Sequence, residues 1–215
     1  MRPALFLDRD GIVNVDHGYV HRADQVEFIS GIFDLVRLAN QTGFVVVIVT
    51  NQAGIARGLY TEADFLALTS WMNSRFAEAG ARIDAVYHCP HHPTEGLGAL
   101  KQACECRKPA PGMFTRAMRD WSLSPPLSVL VGDKGSDLQA GLSAGVRNLF
   151  MLHHPDRETL PLALWPNTIA VSTLLDPRLT RLLTAGSSIE AGMPPDRSSD
   201  TSRVFPPSEP RREAS

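Results

Sequence analysis

The sequence predicts an α/β domain built on a doubly wound, mostly parallel sheet. Short apolar runs alternate with amphipathic segments along residues 1–185, and several of the runs are apolar throughout. A continuous apolar run is typical of a parallel strand that helices cover on both faces. The alternation of strands with helices in turn predicts right-handed crossovers between the strands.

The predicted strands are, in order, Ala4–Leu7, Phe44–Val49, Ala85–Tyr87, Ser128–Val131 and Asn148–Leu152. The predicted helices lie between them, at about 31–42, 61–79, 112–121 and 136–144. Thr61 and Ser136 are residue types that favour the start of a helix, and a turn before Gly31 marks the start of the first one. About thirty residues separate "FLDRDGIVN" from the second strand, which leaves no room for a large cap domain.

A single domain is expected over residues 1–185, followed by a tail over 186–215. The tail is rich in Ser, Pro, Arg and Glu and has almost no large apolar residues. Because such a segment cannot bury enough apolar surface to offset the entropy lost on ordering, we expect it to be disordered.

The composition argues against several classes of partner. Of the 215 residues, 43% are hydrophobic and 20% charged, and the formal net charge is -2. Such a chain has no broad attraction for nucleic acid or an anionic membrane, although a small anion can bind locally. The longest apolar run, Phe44–Val49, is too short to span a bilayer, and Pro3–Leu7 leads into charged residues instead of a signal peptide. We therefore expect a cytoplasmic protein, and a monomer.

Polar residues follow three of the predicted strands, where ligands gather in sheets of this class. Asp8 and Asp10 follow the first strand, and Asp133 follows the fourth. In an extended segment, residues two apart point to the same side, so the first two carboxylates would repel each other unless a cation lay between them. An oxygen-rich site of this kind suits Mg²⁺. The alternative for the pair alone is a polar turn after a strand.

A phosphate group at this edge of the sheet would find suitable donors. Thr50 offers a hydroxyl, Asn51 an amide, and Lys108 a positive charge. Asp8 could then attack phosphorus to form an aspartyl-phosphate, while Asp10 protonates the departing alcohol and later takes a proton from water. The residues thus predict two-step hydrolysis of a phosphate monoester.

Four segments carry a family resemblance: "LDRDGIVN", "VVIVTNQ", "RKPAPG" and "VGDKGSD", in that order. They resemble the four motifs of the haloacid dehalogenase (HAD) superfamily of aspartate-nucleophile phosphatases, over roughly residues 4–152. The resemblance implies that Asp8 is the nucleophile and Asp10 the acid/base residue. It also implies that Mg²⁺ is bound by the Asp8 side chain, the Asp10 backbone carbonyl and Asp133, which replaces the simpler picture of three carboxylates around one ion.

The resemblance also assigns the substrate-binding positions. It places Thr50, Asn51 and Lys108 at the phosphate, Arg107 and Lys134 near the rest of the substrate, and Asp137 as a support for its loop.

Four further segments, "VDHGYVH", "NQAGIARG", "CPHHP" and "CECRKPAPGM", resemble one branch of that superfamily. Its members remove the C7 phosphate of a heptose bisphosphate, a small sugar phosphate, on the route to nucleotide-activated heptose for bacterial surface polysaccharide. The alternative within the superfamily is the branch that hydrolyses histidinol phosphate, and the alternative from another class is a non-catalytic, zinc-stabilised binding module.

Three cysteines and a histidine form two closely spaced pairs, Cys89-x-His91 and Cys104-x-Cys106. Four ligands of this type suit a tetrahedral, structural Zn²⁺ that ties down the loop at 88–107. His88 and His92 compete for the histidine position, and His91 is preferred because it mirrors the spacing of the second pair. The alternative is free cysteines beside unrelated histidines. Because the loop leads into Arg107 and Lys108, zinc would position both.

Overall fold

The computed structural model describes residues 1–154, 164–165, 167–185 and 203–205. Over these residues the chain forms the strands β1 Ala4–Leu7, β2 Val45–Asn51, β3 Ala85–Cys89, β4 Val129–Gly132, β5 Asn148–Leu152, β6 Thr168–Val171 and β7 Arg203–Phe205. Over the same ranges it forms the helices α1 Ile32–Gln41, α2 Ala53–Ala56, α3 Glu62–Glu78, α4 Gly112–Trp121, α5 Gly135–Ser143 and α6 Pro177–Ala185.

The seven strands form one sheet in the order β6-β5-β4-β1-β2-β3-β7, and every neighbouring pair is parallel. The predicted fold class is therefore confirmed. The chain runs outward from β1 through β2 to β3, and then returns to β4 on the other side of β1. The strand order thus reverses between β1 and β4, which is where sheets of this class bind their ligands.

Helices cover both faces of the sheet because successive strand residues face opposite sides. In β1, Leu5 and Leu7 pack in the core cluster that also contains residues of α1, α3 and α6. Ala4 and Phe6 pack in the other cluster, with residues of α4 and α5. All four residues of β1 are buried, as the continuous apolar run predicted.

The start of α3 follows the expected capping chemistry, whereas Ser136 does not cap α5. The Thr61 hydroxyl accepts a hydrogen bond from the Asp64 amide, and the Asp64 carboxylate accepts one from the Thr61 amide. This confirms the predicted start of α3. Helix α5 begins one residue before Ser136, and there the Asp137 carboxylate accepts a hydrogen bond from the Lys134 amide.

The disorder expected for 186–215 is wrong for three residues of that segment. Arg203–Phe205 pair with β3 as the parallel strand β7. The Phe205 ring stacks on Tyr87 with a centroid separation of 4.6 Å, so one buried aromatic contact accompanies the strand pairing. The remainder of the predicted tail lies outside the described residues.

Two further elements, β6 and α6, extend the sheet and its helical cover beyond the predicted ones. Only short loops, a 3-10 turn at Ala23–Gln25 and α1 connect β1 to β2, in agreement with the absence of room for a large cap domain. Within the described part of the chain, no helix combines the length and the apolar character that crossing a membrane requires.

Candidate active site

Three buried carboxylates meet at the carboxyl end of the sheet, where the strand order reverses. Asp8, Asp133 and Asp137 each contribute one carboxylate oxygen, and these three oxygens lie within 4.8 Å of one another. The Asp8 amide donates to the carbonyl of Val131 at 3.2 Å, which holds the first aspartate beside β4. Negative charge concentrated in this way needs a compensating cation, and oxygen ligands suit a hard divalent ion.

Lys108 supplies part of that compensation. Its Nζ lies 2.8 Å from Oδ1 of Asp8 and 2.7 Å from Oδ1 of Asp137, and it donates to the carbonyl of Val49 at 2.8 Å. Burial opposes the charge on this lysine, but the two carboxylates outweigh it and raise the pKa of Lys108. The lysine therefore stays protonated, and one positive charge is shared between two aspartates.

The pKa of Asp8 is raised to about 7. Burial is the largest cause; Lys108 lowers the pKa, whereas Asp137 and Asp133 raise it. The carboxylate that is expected to act as nucleophile is thus only partly ionised near neutral pH when no other cation is present. A divalent ion at the cluster would favour its charged form, so the donor set fits such an ion.

The side chain of Asp10 lies outside this carboxylate cluster. Arg9 donates to both of its oxygens, through Nη2 at 3.0 and 2.9 Å, and Asn14 donates to Oδ1 at 3.0 Å. The Asp8 and Asp10 carboxylates therefore do not share the three-carboxylate cluster. The reason is that β1 ends at Leu7, so the alternation of an extended strand does not continue through the pair. The predicted role of the Asp10 backbone carbonyl in binding metal is unaffected and stays a prediction.

Thr50 and Asn51 lie at the end of β2, as expected, and both side chains have protein partners. The Thr50 hydroxyl oxygen accepts from Nε2 of Gln52 at 2.7 Å. Nδ2 of Asn51 donates to the backbone carbonyl of Lys108, and Oδ1 of Asn51 accepts from the backbone amide of Lys108, both at 3.0 Å. Asn51 therefore holds the backbone of the buried lysine, a role that the sequence did not indicate.

Lys134 lies near the carboxylate cluster, where its charge lowers the pKa of Asp8, and both Lys134 and Arg107 have partners from other loops. Arg107 donates through Nη1 to the carbonyl of His91 at 3.1 Å, and Nζ of Lys134 lies 3.0 Å from the Asp16 carboxylate. The side chain of Lys134 is 43% exposed, so it can still reach a bound molecule. Arg57 forms an ion pair with Glu95.

The loop after β1 approaches Asp133 so closely at residue 11 that only glycine fits there. Its φ is +102°, and a Cβ atom at this position would lie 2.2 Å from Oδ2 of Asp133. The Gly11 carbonyl lies 2.8 Å from Nε2 of His154, a contact that fixes the loop from the end of β5. Any larger side chain at this glycine would displace a carboxylate of the cluster.

The second cluster brings together Cys89, His91, Cys104 and Cys106. Their sulfur atoms are 3.2 to 3.5 Å apart, and Nδ1 of the histidine lies 3.5 Å from Sγ of Cys106. A tetrahedral zinc ion with Zn–S bonds of about 2.3 Å would place its sulfur ligands about 3.8 Å apart, close to this arrangement. None of the three cysteines forms a disulfide.

The competing histidines have other partners. Nε2 of His88 lies 3.0 Å from the Glu62 carboxylate, and Nδ1 of His92 accepts from the Glu95 amide at 3.0 Å. His91 is the histidine that the fold brings to the three cysteines, as its spacing suggested.

Several residues around these clusters were not singled out from the sequence. Gln52 connects Asp10 to Thr50, and Tyr60 donates to Gln52. Arg9 and Asn14 hold the Asp10 carboxylate. "NQ" after a predicted strand was a usable signal for Gln52. Nothing local in the sequence indicates where Tyr60 lies.

A doubly wound parallel sheet with a buried aspartate cluster and a lysine at the reversal of strand order defines a hydrolase of the HAD type. A HAD-hydrolase-like family model matches residues 105–174. The D-glycero-beta-D-manno-heptose-1,7-bisphosphate 7-phosphatase of Yersinia pestis is 50% identical over 144 residues, which cover 67% of this chain and 77% of the relative. The enzyme of that name from Escherichia coli strain K12 is 49% identical, over 67% of this chain and 75% of the relative.

A solved structure extends the comparison to three dimensions. The D,D-heptose 1,7-bisphosphate phosphatase of B. bronchiseptica, crystallised with magnesium and phosphate, has a TM-score of 0.72 and 31% identity over 86% of this chain and 99% of that one. The chain belongs to the HAD-like phosphatase family that contains these heptose bisphosphate phosphatases.

Proposed function

We propose that the chain removes the C7 phosphate of D-glycero-β-D-manno-heptose 1,7-bisphosphate through an aspartyl-phosphate intermediate. The observation that carries the proposal is the buried group of Asp8, Lys108 and Asp137 at the reversal of strand order. Relatives about 50% identical are named for this substrate, and their names specify the β anomer.

Asp8 is the proposed nucleophile. Its Oδ1 accepts the Arg9 amide at 2.7 Å and lies 2.8 Å from Nζ of Lys108, so we assign Oδ2 to bond formation with phosphorus. Attack forms the bond from Oδ2 to phosphorus and breaks the bond from phosphorus to the C7 oxygen, which takes a proton from Asp10. Water then attacks phosphorus while Asp10 removes its proton, and inorganic phosphate leaves as the bond to Asp8 breaks.

Mg²⁺ is the proposed cofactor of this site. Asp8 and Asp133 would hold it through their side chains, and Asp10 through its backbone carbonyl. When bound, such an ion neutralises phosphate oxygens and favours the ionised form of the nucleophile. Thr50 donates its hydroxyl hydrogen to the phosphate, Lys108 supplies positive charge, and Asn51 keeps that lysine in place. Arg107 and Lys134 are proposed to contact the rest of the sugar phosphate.

Zinc is the proposed occupant of the cysteine cluster, with a structural role. Cys104 and Cys106 lie directly before Arg107 and Lys108, so a clamp there fixes the approach of both basic residues. The variant Cys104→Ser should lose bound zinc and melt at a lower temperature, whereas His92→Asn, which changes a residue beside the cluster, should keep its zinc. Parental zinc content and stability in Cys104→Ser would contradict this role.

The function is tested by phosphate release with Mg²⁺ from the β anomer, the α anomer and histidinol phosphate. We expect the β anomer to be hydrolysed with the highest kcat/KM and Asp8→Asn to be inactive on it. Asp24→Asn, at an exposed aspartate with no place in the site, serves as the control. Preferred turnover of histidinol phosphate would assign the chain to the alternative branch. Absence of turnover on every ester, or full activity in Asp8→Asn, would overturn the phosphatase mechanism.

We also propose that the protein acts in the cytoplasm as a monomer, with the catalytic unit in residues 1–185. All proposed site residues lie between Asp8 and Asp137, within this catalytic unit. Light scattering that gives the molar mass of one chain would support the monomer. Activity retained after removal of residues 186–215 would support the catalytic unit.

A further inference from the structure

We propose that Gln52 is a positioning residue that orients both Asp10 and Thr50, and that Tyr60 holds its amide group by a hydrogen bond to the amide oxygen. The proposal rests on the phosphatase function proposed above and assigns a role to two residues that take no direct part in that chemistry. Its starting observation is a polar connection, Tyr60–Gln52–Thr50/Asp10, buried between β2 and the loop before α3.

Gln52 is fixed at both its backbone and its side chain. The residue is 1% exposed, and its backbone amide donates to the carbonyl of Cys89 at 2.7 Å. Its Nε2 lies 2.7 Å from Oγ1 of Thr50 and 3.3 Å from Oδ2 of Asp10. One amide nitrogen therefore contacts both the phosphate-binding hydroxyl and the acid/base carboxylate.

The contact with Asp10 sets the direction of this amide, and Tyr60 then satisfies its oxygen. The hydroxyl of Tyr60 donates to Oε1 of Gln52 at 2.5 Å, and burial raises the pKa of this tyrosine to about 12, so it keeps its proton. In the reverse direction, Oε1 would face the Asp10 carboxylate, and two acceptors would be opposed. Nε2 must therefore point toward the reaction site.

This direction has a consequence for each partner. Because Oγ1 of Thr50 accepts a hydrogen from Gln52, its own hydrogen remains for donation to a phosphate oxygen. Arg9 and Asn14 hold Asp10 from one side, and Gln52 holds its Oδ2 from the other. The acid/base group and the phosphate donor are thus set by one side chain.

The Tyr60 ring is placed by packing that does not need its hydroxyl. A Cβ atom on Gly54 would lie 2.1 Å from the ring, so only glycine admits the ring here. His21 stacks against the ring with a centroid distance of 5.0 Å and an interplanar angle of 4°. Tyr60→Phe should therefore remove the hydrogen bond to Gln52 and leave the surrounding packing in place.

The test uses two substrates that differ in their need for an acid. The heptose bisphosphate has an alkoxide leaving group that must be protonated, whereas 4-nitrophenyl phosphate has a leaving group stable without a proton. Asp10 also serves the second step, which both substrates share, so the comparison uses kcat/KM, which reports the first step alone. In Tyr60→Phe we expect kcat/KM to fall about tenfold more on the sugar substrate than on the aryl ester, with a raised KM on both. Gln52→Leu should show a larger split in the same direction.

The control and the double variant separate positioning from general damage. Tyr87→Phe removes another buried hydroxyl, which bonds Asp120 away from the site, and should leave both reactions unchanged. Tyr60→Phe added to Gln52→Leu should change neither rate further, because the tyrosine acts through the glutamine.

Equal losses on both substrates, or no loss in Tyr60→Phe, would overturn the positioning role while leaving the phosphatase function intact. An inactive parent protein on both esters would overturn the proposed function and this role with it.

Discussion

Replacing Asp8 with asparagine should change how the stability of the magnesium-free protein depends on pH. The pKa of the folded protein's Asp8 is about 7, chiefly because of burial, against an ordinary value of 3.8. Between these two values the unfolded chain has released a proton that the folded protein still holds. This aspartate's contribution to stability is therefore fully present below pH 3.8 and is lost as the pH rises through about 7.

The magnitude follows from the two pKa values. Each pH unit between them changes the free energy of unfolding by about 1.4 kcal/mol, which amounts to about 4 kcal/mol in all. About 3 kcal/mol of this falls between about pH 5 and about pH 8.5. The amide that replaces the carboxyl group in Asp8→Asn cannot ionise, so the stability of this variant minus that of the parent should grow by this amount over the same interval.

The assay is urea unfolding at a series of pH values for the parent and for Asp8→Asn. Magnesium is removed by dialysis without a chelator, because a chelator would also extract the zinc proposed for the cysteine cluster. Asp24→Asn is the control, since the hydrogen bond from Arg22 lowers the pKa of that exposed carboxyl and keeps it ionised throughout. Parallel stability curves for the parent and Asp8→Asn would refute the argument that burial raises this pKa.

Three further predictions follow from the geometry. Gly11→Ala should lower the free energy of unfolding by about 2 kcal/mol, measured by urea unfolding, because the new Cβ meets Asp133. The same variant should bind Mg²⁺ more weakly, measured by calorimetry. Affinity for Mg²⁺ should fall about tenfold per pH unit below about pH 7, since a proton must leave Asp8, and a flat calorimetric profile would contradict this. Phe205→Ala should cost about 1 kcal/mol of stability without changing kcat, because it removes the stack on Tyr87.

Much of the fold could be predicted because its signals are local. The apolar runs predicted β1 and β5 with their observed bounds, and the amphipathic pattern did the same for α4. The polar residues after β1, β2 and β4 meet at one edge because parallel strands share a direction. Strand β7 could not be predicted, since three residues in a polar tail pair with β3 only once the sheet exists.

The site was predicted less completely, for a physical reason. Residue types indicate which groups can react, whereas hydrogen-bond direction depends on chain segments that meet only in the fold. The ion pair of Lys108 with Asp137 and the turn of Asp10 toward Arg9 are of this kind. Asn51 shows the same limit, because its type suggested a phosphate donor and its contacts show a support for Lys108.

Trapping of a phosphorylated Asp8 tests the central claim most directly. Asp10→Asn lacks the base that releases phosphate, and it would be mixed with Mg²⁺ and 4-nitrophenyl phosphate, whose leaving group needs no acid, then quenched in acid and reduced with borohydride. The reduction converts an acyl phosphate on aspartate to homoserine, which peptide mass spectrometry locates. We expect homoserine in place of Asp8 and nowhere else, and none in Asp8→Asn. Homoserine at another aspartate, or sustained turnover by Asp8→Asn, would contradict the claim.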